Sequence, residues 1–136
     1  MDAPRWGLAM VLAAIACAPR GDQPDQQLIQ EGRTYTAWLY GSEYNKLWDR
    51  FSPEMRQTFG SVADLSSFAT RALRRLGSEQ GKVDEQVKEV NPDRVYSRSA
   101  SFDKSRHRML IEWSLAKDGA VTGLVVRPAA VDSAGR

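Results

Sequence analysis

An α+β fold, with three to four N-terminal helices packed on a curved four-stranded antiparallel sheet, is the architecture that this sequence of 136 residues predicts. Three observations carry the expectation. Apolar residues recur at helical spacing from Leu28 to Leu76, the period changes to two from Val83 onward, and the change falls just after Gly77, a natural helix stop. Helices gathered ahead of consecutive strands imply an antiparallel meander with the helices covering one sheet face.

The helices justify themselves in order. Leu28, Gly32, Tyr35 and Leu39 fall at i, i+4, i+7 and i+11, one face of a helix ending near Gly41, with Trp38 and Tyr40 widening the stripe. Tyr44, Leu47, Trp48 and Phe51 repeat the pattern in a second, shorter helix. Ser52 as N-cap, Pro53 at the first helical position and Gly60 as the stop predict one or two further turns. Ser61 and Asp64 then form a capping-box-like pair ahead of Leu65, Phe68, Ala69, Ala72, Leu73 and Leu76. Arg71, Arg74 and Arg75 sit toward the C-terminal end of that helix, where the macrodipole favours cations.

Alternation takes over in the second half. "KVDEQVKEV" is a polar, edge-like strand with Val83, Val87 and Val90. "RVYSRSASF" sets Arg94, Tyr96, Arg98, Ala100 and Phe102 against Val95, Ser97, Ser99 and Ser101. "RMLIEWSLA" puts Met109, Ile111, Trp113 and Leu115 on one face, with Leu110, Glu112 and Ser114 on the other. The Asp118-Gly119 turn leads into "VTGLVVRP", which Pro128 ends.

With 42% hydrophobic and 26% charged residues the chain reads as one globular domain, and a net charge of +2 is too mild for a nucleic-acid partner. Its first twenty residues differ from the rest. Trp6 to Ala18 carries no charged side chain, yet thirteen residues of helix cover only roughly 20 Å of the roughly 30 Å hydrocarbon layer. Arg5 before the run and small residues at its end make a secretory leader. "AIAC", Ala14 to Cys17, resembles the lipobox of bacterial lipoproteins, in which the cysteine takes diacylglycerol and becomes the first residue after cleavage. The resemblance implies lipidation at Cys17 and a membrane partner through that anchor. No second cysteine exists to form an internal disulfide. The chain thus divides into a leader (1–17), a tether (18–25), a domain (26–129) and a frayed tail (130–136). The "RGD" at Arg20 to Asp22 lies in the tether and reads as linker.

"YNKLWDRFSPEMRQTFGSVADLSSF", followed by "VYSRSASFDK" and "IEWSLAKDGAVTGLVVRP", resembles a bacterial domain of the nuclear transport factor 2-like superfamily, over about residues 26–129. The resemblance implies a cystatin-like cone, helices wrapped on a bent sheet around a pocket, as found ahead of β-lactamase-type serine hydrolases or alone in exported proteins. Such domains serve as enzymes, binders or dimerisation units, so no activity follows from the fold.

Residue chemistry narrows the options. "SFDK", Ser101 to Lys104, matches Ser-x-x-Lys, but that chemistry needs a helix, and a strand sends the two side chains to opposite faces. His107, the only histidine, is flanked by Arg106 and Arg108 with no orienting carboxylate in view. No ligand spacing for a metal is present, and no cofactor is expected. Tyr35, Trp38, Tyr44, Trp48, Phe68 and Trp113 are candidate pocket-lining residues for a small apolar ligand, although their spacing also fits a filled core. For an isomerase-like alternative, Asp103 and Glu112 are the candidate acid and base, with Tyr96 or Tyr40 beside them. The run Arg98, Lys104, Arg106 and Arg108 offers a contact for anionic headgroups. An outer sheet face with Leu110 and Val126 exposed offers a homodimer contact. The function expected is a non-catalytic binding or interaction module, engaging an unknown protein or small ligand, displayed in the bacterial cell envelope.

Overall fold

The computed structural model describes residues 23–130. The leader, Cys17 and the Arg20 to Asp22 tripeptide lie outside the described residues. Helices α1 (Gln23–Tyr40), α2 (Tyr44–Arg50), α3 (Pro53–Phe59) and α4 (Val62–Leu76) precede strands β1 (Glu79–Val90), β2 (Asp93–Phe102), β3 (Met109–Leu115) and β4 (Val121–Pro128). The strands form an open antiparallel sheet in sequence order. The domain is therefore α+β, with its helices N-terminal to its sheet.

Local chemistry sets the helix ends. Ser52 Oγ accepts from the Met55 N–H at 3.2 Å, and Pro53 occupies the first turn, where its missing N–H costs nothing. Ser61 Oγ accepts from the Asp64 N–H at 3.1 Å. Gly60 and Gly77 close α3 and α4 at φ of 91° and 77°, in the left-handed region that a side chain disfavours.

One sheet face meets the helices. Cross-strand partners share a face, so the pairs Tyr96↔Trp113, Trp113↔Leu124, Ile111↔Val126 and Val87↔Tyr96 fix it. Trp113, Tyr96, Leu47, Leu65 and Val121 are fully excluded from solvent within a core that draws on every helix. The predicted α1 stripe, Leu28, Gly32, Tyr35 and Leu39, is buried throughout. Trp113 keeps its indole N–H satisfied by donating to Thr36 Oγ1 at 3.0 Å, and that hydroxyl donates to the Gly32 carbonyl at 2.7 Å.

Three sequence expectations change in the sheet. Val126 lies on the helix-covered face because it opposes Ile111; its neighbour Val125, opposite Glu112, is the residue turned outward, at 44% exposure. Val90 has the opposite parity to Val83 and Val87 and is 55% exposed. Arg98 does not belong to a solvated basic run: it opposes both Ile111 and Glu85 and so faces the helix layer.

Candidate functional site

The charged residues on the helix-covered face define the site. Between Val83 and Val87 in β1 stands Glu85, and between Tyr96 and Ala100 in β2 stands Arg98. Register makes Glu85 and Arg98 direct partners beneath α1. Burying either charge alone is costly, so each must be answered by a partner.

The answer is a network that joins α1 to β1 and β2. Arg33 of α1 grips Glu85 bidentately, Nε to Oε2 at 2.9 Å and Nη2 to Oε1 at 2.6 Å. The Tyr96 hydroxyl donates to Glu85 Oε2 at 2.5 Å and accepts from Arg98 Nη1 at 3.4 Å. Arg98 grips Glu79 through Nη2 at 2.5 Å and Nε at 3.1 Å, and the Tyr40 hydroxyl donates to the same carboxylate at 2.8 Å. Charges alternate along the line Arg33, Glu85, Arg98, Glu79, with a tyrosine hydroxyl on each carboxylate. A cleft of about 430 Å³ opens over this line, between Arg33, Thr36, Ala37, Tyr40, Glu85 and Arg98. A second, of about 280 Å³, lies on the far side of Tyr40, against Leu73, Gly77 and Phe102.

Gly32 makes the arrangement possible. A Cβ there would overlap the ring of Tyr96, so α1 approaches β2 closely only because this position has no side chain. The Tyr96 ring consequently packs against α1 at Gly32 with its hydroxyl at Glu85.

Protonation follows from these contacts. Hydrogen bonds from Arg33, helped by Tyr96 and opposed by partial burial, hold the Glu85 carboxyl at about 2. Burial would raise Glu79, but the hydrogen bonds from Arg98 and Tyr40 outweigh it and leave the group below the ordinary carboxylate range. Burial, and then the bond to Glu85, push the Tyr96 phenol up to about 12. Burial and Glu79 likewise raise Tyr40. The bond to Glu79 raises Arg98. Both carboxyls are thus locked ionised and both phenols locked neutral.

The sequence candidates fall elsewhere. Of the six aromatic residues, Tyr35 and Trp113 are core, with ring centroids 5.7 Å apart, and Trp38 meets Tyr35 at 5.6 Å with its ring tilted by 47°. Trp48 and Phe68 belong to a second aromatic series through Phe51 and Phe59, and Tyr44 packs against the core edge. None of the six lines the 430 Å³ cleft. Asp103 sits in the β2–β3 connection and accepts from the Ser78 N–H at 2.8 Å. Glu112 lies on the outer sheet face, where Ser97 donates to it at 3.0 Å and Arg127 at 3.1 Å. The structure brings neither to Tyr40 or Tyr96; it brings Glu79 and Glu85 there instead. Ser101 lies on β2 and Lys104 in the connection after it, and His107 is exposed in the same connection. Among the described residues no group of three or more histidine, cysteine, aspartate or glutamate side chains is arranged to hold a metal ion. No described helix is long and apolar enough to cross a membrane.

Comparison with protein-family models, with curated proteins and with solved structures finds no match to this chain. Its function is therefore read from the site's own chemistry.

Proposed function

We propose that this chain is an exported protein of the bacterial cell envelope, lipid-anchored at Cys17, whose α+β domain is a non-catalytic binding or interaction module of the nuclear transport factor 2-like kind. The observation that supports the non-catalytic part most directly is the mutual neutralisation of Arg33, Glu85, Arg98 and Glu79. A general base or acid works best with a pKa near the working pH. Here Glu85, which lines the larger cleft with Tyr40, and Glu79, which lines the smaller one with the same tyrosine, are pushed the other way, toward ionisation. The larger cleft offers two guanidinium groups, one carboxylate and the Tyr40 hydroxyl, a set suited to holding a polar group rather than to moving a proton.

The anchoring part rests on "AIAC" and the short apolar run before it. Mass spectrometry of the protein extracted from bacterial membranes tests it: the expected N-terminal residue is Cys17 carrying diacylglycerol. The Cys17→Ser variant is expected to lose the lipid and leave the detergent phase. An unmodified Cys17, or cleavage at Ala16 or Ala18 without lipid, overturns it. The isomerase-like alternative is tested on an unconjugated ketosteroid by following conjugation in the ultraviolet; turnover that Glu85→Gln abolishes would overturn the non-catalytic reading.

A further inference from the structure

We propose that the end of the domain formed by the last turn of α4 and the β2–β3 connection is a docking surface for anionic phospholipid headgroups. The proposal rests on the lipid-anchored reading, which supplies the membrane.

The surface is assembled by the fold from two separate stretches. Arg74 and Arg75 are exposed in the last turn of α4, and Lys104 and Arg106 are exposed in the connection between β2 and β3. The two stretches are bonded together: the Lys104 N–H donates to the Leu76 carbonyl at 3.0 Å, and the Asp103 N–H to the Ser78 carbonyl, also at 3.0 Å. Lys82 and Arg108 border them, the Arg108 guanidinium donating to the Lys82 carbonyl at 3.2 Å. The nearby carboxylates are already engaged, Asp84 by Arg108 at 3.0 Å, Asp103 by the Ser78 N–H and Glu79 by Arg98. Arg74, Arg75, Lys104 and Arg106 form no ion pair among the described residues. The macrodipole accounts for Arg74 and Arg75 at a helix C-terminus, but not for Lys104 and Arg106 beside them.

Counting the Arg98–Glu79 pair, seven cations stand against three carboxylates at this end, a surplus above the net charge of +2 that the whole chain carries, so the remainder of the molecule is net negative. Charge is therefore segregated toward one end. A protein partner of ordinary affinity would need apolar anchor residues within the surface. The exposed large hydrophobic residues, Val90 and Val125, lie elsewhere, at the β1–β2 turn and on the outer sheet face. What the surface presents, beside the cleft at Leu73, Gly77 and Phe102, is exposed cations on long side chains, the requirement for phosphate headgroups.

Geometry assigns the contact a purpose. Asp25, at the start of α1, pairs with Arg94 at the start of β2, and Tyr40, at the end of α1, meets Glu79 opposite Phe102 at the end of β2. α1 therefore runs alongside β2, and the cationic end lies a helix length, about 27 Å, from the N-terminal end of α1 at Gln23. The chain from Cys17 to Gln23 reaches at most about 20 Å when extended. A lipid at one end and cations at the other would lay the long axis of α1 along the bilayer. The tether raises the local concentration of the surface at the membrane, so weak individual contacts suffice.

Hydrogen exchange of the full lipidated chain in vesicles tests the surface. Amides of residues 74–77 and 103–108 are expected to exchange more slowly in phosphatidylglycerol-containing vesicles than in pure phosphatidylcholine. The protection is expected to vanish near 1 M salt, where the Debye length is about 3 Å. The variant R74A/R75A/K104A/R106A, altered only at exposed positions, is expected to lose it while keeping the anchor, each cation contributing about fivefold. Equal exchange in both vesicle types overturns the proposal. So does protection by polyglutamate but not by vesicles, which would assign the surface to an acidic protein. A chain that fails to float with pure phosphatidylcholine vesicles overturns the anchor instead; the surface is then judged by flotation with phosphatidylglycerol vesicles alone.

Discussion

At the scale of single residues, Gly32 decides how α1 meets the sheet. It stands on the buried stripe between Leu28 and Tyr35, where leucine or alanine would serve helix propensity better. The Tyr96 ring occupies the volume its side chain would take. Gly32→Ala is therefore expected to lower unfolding free energy by about 1–3 kcal/mol, the usual cost of overpacking, despite the gain in intrinsic helix propensity. Urea denaturation checks the sign, and a stabilised variant would mean that Tyr96 moves aside freely. In a Tyr96→Ala background, itself less stable, Gly32→Ala should cost little further, because the ring is the obstacle.

At the scale of elements, the Glu85 carboxylate ties β1 to α1 through Arg33 and to β2 through Tyr96, and its ionisation makes that tie dependent on pH. Its folded pKa of about 2 lies below the ordinary value of 4.5, so its contribution is fully present above pH 4.5 and is lost as pH falls through 2. The stability gap between the wild type and Glu85→Gln, measured by thermal unfolding, should stay constant from neutrality to about pH 5 and then close toward pH 2. A gap that widens on acidification would reverse the sign argued for this group. The elements themselves were legible in the sequence: Ser52, Pro53, Gly60, Ser61 and Gly77 mark helix ends through local backbone chemistry, and they fall where the structure has them. Alternation likewise placed Arg98 beside Tyr96 and Ala100 on one strand face. What could not be read was its partner, because pairing Glu85 with Arg98 depends on a β1–β2 register that includes an irregularity between Gln80 and Asp84. A lone glutamate between Val83 and Val87 was the available signal, and it becomes meaningful only beside an opposite charge in the same position of the next strand. Local sequence likewise accounts for Arg74 and Arg75 only as macrodipole partners, since nothing local shows that Lys104 folds back against Leu76.

At the scale of the whole molecule, the decisive feature is that the helix layer and the sheet share one core. Tyr35 of α1, Leu47 of α2, Met55 of α3 and Leu65 of α4 join Tyr96, Trp113 and Val121 of the sheet in a single apolar cluster, with Val83 and Val87 of β1 packed at its margin. Neither layer buries its apolar face without the other: Trp113 needs Thr36 of α1 for its indole N–H, and Phe51 bridges to Val121 of β4. A sheet stripped of its helices would expose Trp113, Ile111 and Leu115 together, a patch that a soluble domain does not sustain. Unfolding is therefore expected to be a single cooperative transition, with far-ultraviolet circular dichroism and tryptophan fluorescence tracing one curve against urea and a slope of about 1–3 kcal/mol per molar. Trp38 and Trp48 report on the helix layer and Trp113 on the junction, so a helix layer that detached first would move the fluorescence midpoint below the dichroism midpoint. Such a separation would show that the polar line from Arg33 to Glu79, rather than the shared apolar cluster, is what joins the two layers, and raising the salt concentration would then widen it.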